Sequence, residues 1–192
     1  YDRYQEYIAY SKGIFSRGDS PADSGLELTA PADSFEAFWF EYEGKAYPNK
    51  KSVLAVVKSK RQKIYDEIYE DLNDLVSVLC PIESKDDPVW EKGAKSIIMA
   101  TLLAMLEDSE DPELGMTKEK FNFFNVNKAI SNSEDNFAAL KRYFQGRNKL
   151  SKAVTLSRQV LSAADNTLSS YMSIAFDKMI CYITGKNMLF MT

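Results

Sequence analysis

The stretch Asp86–Asp108, DDPVWEKGAKSIIMATLLAMLED, decides the fold. Asp87 can accept from the unpaired amides at a helix start. Pro88 suits the first helical position because it lacks the amide that would go unbonded there. Ile97 to Leu106 then carry no charge at all. On a helix, Trp90, Ala94, Ile98, Thr101, Leu102 and Met105 share one face, while Ile97, Met99, Leu103 and Leu106 cover the others. A helix apolar on every side is a central one. Gly93 costs such a helix ~1 kcal/mol against alanine, which predicts that another backbone packs closely there.

On the N-terminal side, Asn49 to Cys80 keeps a long helical pattern, read as one helix or two, with Val53, Leu54, Val57, Ile64, Ile68, Leu72, Leu75, Val76 and Leu79 at its apolar positions. Pro81 stops it. Asp33, with Glu36 three residues on, reads as a capping box before an aromatic helical face of Phe35, Phe38, Trp39 and Tyr42 that ends at Gly44. Residues 17–33 have loop composition, and Tyr1 to Phe15 reads as a short helix ending around Gly13. On the C-terminal side, Thr117 is expected to cap a helix to about Ile130, and Ser133 to start one that stops at Gly146. Asn148 to Thr184 keeps threes and fours, with a break expected near Asp165–Asn166. The expected architecture is all-α: one domain of about seven helices in irregular packing, with a variable part at 1–48 and a helical core at 49–192.

The chain has 192 residues, enough to bury a real core, and a net charge of 24 − 28 = −4. No global basic field therefore draws it to nucleic acid or membrane. It has no histidine, which excludes Ser-His-Asp and Cys-His chemistry and His-ligated zinc. Cys80 and Cys181 each lie inside an apolar helical pattern. Two buried free thiols in a reducing cytosol are the simpler reading, with a disulfide left open. The longest apolar run is about half the ~20 residues of a membrane span, and no signal peptide is visible. The chain opens at Tyr1 without methionine, as an excised piece of a longer protein would.

Motifs for chemistry are missing. Gly44-Lys45 and Gly185-Lys186 lack the upstream glycine and the following hydroxyl of a phosphate-binding loop. Asp66, Glu67, Glu70, Asp71 and Asp74 recur along one helix and could hold a divalent ion, but a solvated acidic face explains them more simply. No cofactor is expected. The charge pattern says more. Lys50–Lys63 holds six basic residues and no acid, and Lys141–Arg158 holds another six and no acid. Together they carry half of the lysines and arginines. Segregation of that kind makes local positive patches for phosphates or an acidic partner. Lys58, Lys60, Arg61, Lys141, Arg142, Arg147 and Lys149 are the candidate contacts. Tyr143 and Phe144 could stack on bases but at helical spacing read as core.

Three stretches resemble the conjugative DNA-transfer ATPases, the coupling proteins of type IV secretion systems. The opening segment resembles their D-D-x-F-W-x-x-x-A motif at Asp86, Asp87, Trp90, Gly93 and Ala94, with Val89 in place of the phenylalanine. FNFFNVNKAI, Phe121 to Ile130, is similar to the segment that follows there. The stretch from Ala163 to Thr192 looks like the helix leading back to the motor core, where Ala164, Thr167, Ser169, Ser170 and Leu189 fit the pattern. The resemblance covers Asp71 to Thr192; the basic segment Lys50–Lys63 lies outside it. It implies a non-catalytic all-α domain inserted in a hexameric ATPase anchored at the inner face of the bacterial membrane. Such a domain lies on the cytoplasmic side and receives relaxase and relaxosome accessory proteins, with DNA as a weaker ligand. The isolated domain is expected to be monomeric. The rival readings are a free-standing helical adaptor and a carboxylate metalloenzyme.

Overall fold

The computed structural model describes residues 1, 27–29, 39–42, 45–47, 50–83, 88–131 and 135–183. The chain divides into two compact units. One comprises Asp2–Tyr69, the other Tyr1 and Glu70–Thr192. The helical body has the expected all-α class, with six α-helices among the described residues against the seven anticipated.

In the first unit, β1 (Glu27–Thr29), β2 (Trp39–Tyr42) and β3 (Lys45–Tyr47) form an antiparallel sheet in the order β1-β2-β3. This corrects two expectations. Trp39 to Tyr42 is a strand rather than the end of an aromatic helix, and part of the expected 17–33 loop is its partner. The register pairs Leu28 with Phe40 and Tyr42 with Lys45. Aromatic residues favour a pleated strand as readily as a helix face, and pairing on both sides decides between the two. The expected helix over 1–15 and the Asp33 cap lie outside the described residues. The long pattern is one helix, α1 (Lys50–Leu79), which begins in this unit and ends in the other.

The second unit is built on α2 (Val89–Asp108). Gly93, Ala94 and every residue from Ile97 to Leu106 are buried, as a helix apolar on all sides requires. The lone hydroxyl among them, Thr101, donates to the Ile97 carbonyl at 2.8 Å and leaves no polar atom unmet. The helix starts one residue later than expected. Pro88 precedes it, and its carbonyl accepts from Lys92 N at 3.0 Å; Asp87 is outside the described residues. Gly93 meets an aromatic ring where a backbone was expected: a Cβ there would stand 2.4 Å from Tyr171 Cδ1. Trp90 stays partly exposed and packs on the same ring, centroids 5.7 Å apart.

Around α2 stand α3 (Phe123–Ser131), α4 (Ala138–Gln145), α5 (Lys152–Leu161) and α6 (Asp165–Ile183). The closest packing is of α2 on α5 and α6, and of α3 on α6. Phe123, Val126 and Ile130 of α3 complete the core with Ala153 and Val160 of α5 and Leu168, Met172, Ala175 and Met179 of α6. The end of α1 contributes Leu72, Val76 and Leu79.

Three boundaries differ from the sequence reading. Thr117 precedes a single 3₁₀ turn, Lys118–Lys120, and makes no side-chain cap. The cap of α3 is Asn122, whose Oδ1 accepts from Asn125 N at 2.9 Å. Helix α4 begins five residues after Ser133, because Asp135, Asn136 and Phe137 all take left-handed backbone angles (φ 47°, 54° and 59°). Asp and Asn tolerate that region, but Phe137 is held there by burial. The break in the last helical stretch falls at Ser162–Ala164, just ahead of Asp165.

Candidate functional site

Helix α5 begins with a conventional cap: Ser151 Oγ accepts from Val154 N at 3.3 Å. Its buried residues Ala153, Val154, Ser157 and Val160 recur at threes and fours, which seats that face on α2. Helix α4 buries Leu140 and Phe144 in the same way. The two short helices leave between them a cleft of about 320 Å³. Its apolar lining comes from Phe144, Val154 and Leu161, and its neutral polar lining from Gln145, Ser157 and Ser162. Four cations complete it: Lys141, Arg147, Lys149 and Arg158. No carboxylate is among the lining residues.

The cations differ in what they are free to do. Arg147 is turned inward. Its Nη1 donates to Glu107 Oε2 at 3.1 Å and its Nη2 to Asp108 Oδ1, with the guanidinium 4.3 Å above the Tyr143 ring. Tyr143 Oη donates to Asp108 Oδ2 at 2.5 Å, and Ser151 Oγ to Glu107 Oε1 at 2.5 Å. This latch ties the C-terminal end of α2 to the end of α4 and the start of α5. Burial opposes the charge on Arg147, but Tyr143, Asp108 and Glu107 outweigh it and shift its pKa upward. Burial, and then the bond to Asp108, push the Tyr143 phenol well above the ordinary tyrosine range. Arg147 therefore shapes the cleft wall while its charge is met from within. Lys149 and Arg158 are exposed and Lys141 is half-buried.

Of the seven expected contacts, the structure brings Lys141, Arg147 and Lys149 to one cleft. Arg142 is exposed on α4 outside the lining. Lys58, Lys60 and Arg61 belong to α1 within the other unit; Lys58 is exposed, and Lys60 and Arg61 are half-buried. Arg158 was not singled out from the sequence, although it closes the same acid-free segment. Phe144 is 3% exposed and stands edge-on to Tyr143, so it is core and presents no ring face for stacking.

A larger cleft, about 540 Å³, borders α2, α3 and α4. Three of its polar groups serve the fold: Tyr143 bonds Asp108, Thr101 bonds Ile97, and Lys120 Nζ donates to the Gly115 carbonyl at 2.5 Å. The acidic positions Asp66, Glu67, Glu70, Asp71 and Asp74 on α1 are exposed, with Lys63 3.9 Å from Glu67. Among the described residues no three Cys, Asp or Glu side chains cluster to hold a metal, and no helix is long and apolar enough to cross a membrane. Compared with known proteins, the chain matches no family model, no curated protein sequence and no solved structure.

Proposed function

We propose that this chain is the all-α cargo-recognition domain of a conjugative type IV secretion coupling protein. Its partner is a relaxase with accessory DNA-processing proteins, and DNA is a weaker, salt-sensitive ligand. The domain itself carries no catalysis; ATP hydrolysis belongs to the hexameric motor of the parent protein, which is anchored at the inner face of the membrane. The observation that carries the reading is the α4–α5 cleft, where cations gather without a carboxylate on a chain of net charge −4. Its physical basis is division of labour. A sealed apolar centre fixes the helices, and a local positive surface speeds and orients encounter with an acidic partner. The resemblance of the Asp86–Ala94 motif, Phe121–Ile130 and the stretch from Ala163 onward supplies the family.

The test is capture, by the 192-residue chain, of the relaxase encoded beside the parent gene, at two salt concentrations. Capture that weakens with salt, and weakens again on charge reversal of Lys141 and Lys149 with helicity unchanged, is the expected result. Unaltered affinity for both relaxase and single-stranded DNA would remove that pair from the site, and no capture of the relaxase at either salt refutes the reading.

A further inference from the structure

We infer that the α4–α5 cleft receives an acidic segment of a protein partner, seated by one apolar side chain; the inference rests on the cargo-receptor reading only for who supplies that segment. The lining has two chemistries in separate places. Phe144, Val154 and Leu161 make an apolar floor, and Lys149 and Arg158 are exposed cations at the edge. The volume, about 320 Å³, is at the small end of ligand clefts. It admits a side chain and a short piece of backbone, not a folded surface. An apolar residue on the floor desolvates the cleft, and carboxylates on either side of it meet the cations where screening by water is reduced.

Two features favour an acidic peptide over a nucleic-acid strand. Stacking platforms need exposed ring faces, and the one aromatic of this cleft, Phe144, is buried. A strand also extends beyond the cleft. Close by, α2 ends at Glu107 and Asp108, both held by Arg147, and the chain continues through exposed Glu110, Asp111 and Glu113. A long polyanion is repelled there, whereas a short acidic segment lies on the cations alone. Arg147 acts as a positioning residue: its head is bound to α2, so the wall of the cleft is in place before a ligand arrives.

The experiment is fluorescence anisotropy on the full 192-residue chain with a labelled peptide carrying two acidic residues on each side of one leucine. The expected result is saturable binding that falls about tenfold in the double variant Lys149→Glu/Arg158→Glu. It also falls when the peptide leucine becomes serine, and it is unchanged in Lys128→Glu, which lies outside the cleft. All three substituted positions are exposed, so circular dichroism should show folded protein in every case. Equal binding by the double variant overturns the inference. So does tighter binding of an oligothymidylate at the same residues, which gives the cleft to nucleic acid. Self-association that the double variant abolishes, without peptide binding, gives it to a second copy and overturns it too. Relaxase capture separates the two readings. Relaxase retained in full by the double variant overturns the cleft as its docking site and leaves the receptor reading standing. Peptide bound at the cleft while the relaxase is ignored supports the cleft and sinks the receptor reading.

Discussion

Gly93→Ala sets two effects of opposite sign against each other. In an open helix the change stabilises by roughly 1 kcal/mol, because alanine loses less freedom on folding. Here the new Cβ would lie 2.4 Å from Tyr171 Cδ1 and Cε1 and 2.7 Å from Cγ. Ordinary contact begins at 3.4 Å, so the ring must retreat by about 3.4 − 2.4 = 1.0 Å. The crowded atoms Cγ, Cδ1 and Cε1 belong to a rigid ring, not to a flexible chain end, and Tyr171 is 9% exposed. Moving it also disturbs the Trp90 pair at 5.7 Å. Overpacking of this kind costs ~1–3 kcal/mol, and loss of an aromatic pair ~0.5–1.5 kcal/mol. The steric side wins. The net loss expected is about 1–3 kcal/mol, a fall in Tm of roughly 3–10 °C for a chain of this size. Thermal unfolding followed by circular dichroism reads it directly. Gly146→Ala is the control, since its nearest neighbour would be the Arg142 carbonyl at 3.7 Å; it should be neutral or slightly stabilising. In a Tyr171→Ala background the Gly93→Ala penalty should shrink. A Tm that rises in Gly93→Ala as it does in Gly146→Ala would refute the packing described for α2 and α6.

Arg147→Ala removes one partner from a latch whose carboxylates are largely buried. It should cost about 2–4 kcal/mol in a denaturant titration, and Arg147→Lys should restore little, because lysine cannot bond both carboxylates as a planar fork. Tyr143 predicts a pH effect. Its folded pKa lies above the unfolded value of about 10, so the folded state holds the proton more tightly and stability is level up to that pH. Above it stability falls, and Tyr143→Phe should flatten the fall in Tm as pH rises beyond the unfolded value of about 10. An unchanged profile would show that the phenol is not held as described. Burial pushes the Cys80 thiol up, so it should resist alkylation in the folded chain and react on unfolding, as read by mass spectrometry.

The centre of this fold was legible because its signals are local. A proline start, a charge-free run and period-3.6 apolar spacing place α2 without reference to anything distant, and the bounds of α1 were legible for the same reason. The misreadings share a cause. Trp39–Tyr42 is a strand because of its partners at Glu27–Thr29 and Lys45–Tyr47, which spacing within the segment does not encode. Ser133, with Glu134 and Asp135 behind it, reads as a helix start, yet three left-handed residues precede the helix, the last of them fixed by the burial of Phe137. At the site, the acid-free run Lys141–Arg158 located the cleft. It did not reveal that Arg147 would spend its charge on Glu107 and Asp108, some forty positions back in the chain. Charge counting sees sign and density, whereas the partner of a given cation is a tertiary fact. Arg158 was discoverable by the same count, since it closes the run that Lys141 opens.

On the reading proposed above, the apolar centre is scaffold and recognition happens at the α4–α5 cleft. Amide chemical-shift mapping of the labelled chain during titration with the proposed relaxase partner tests this most directly. The prediction is a cluster of perturbed signals from Lys141 to Ser162, strongest at Lys149 and Arg158, with Ile97 to Leu106 unmoved. Perturbations centred on the core helix, or spread evenly over the charged surface with none at the cleft, would contradict it.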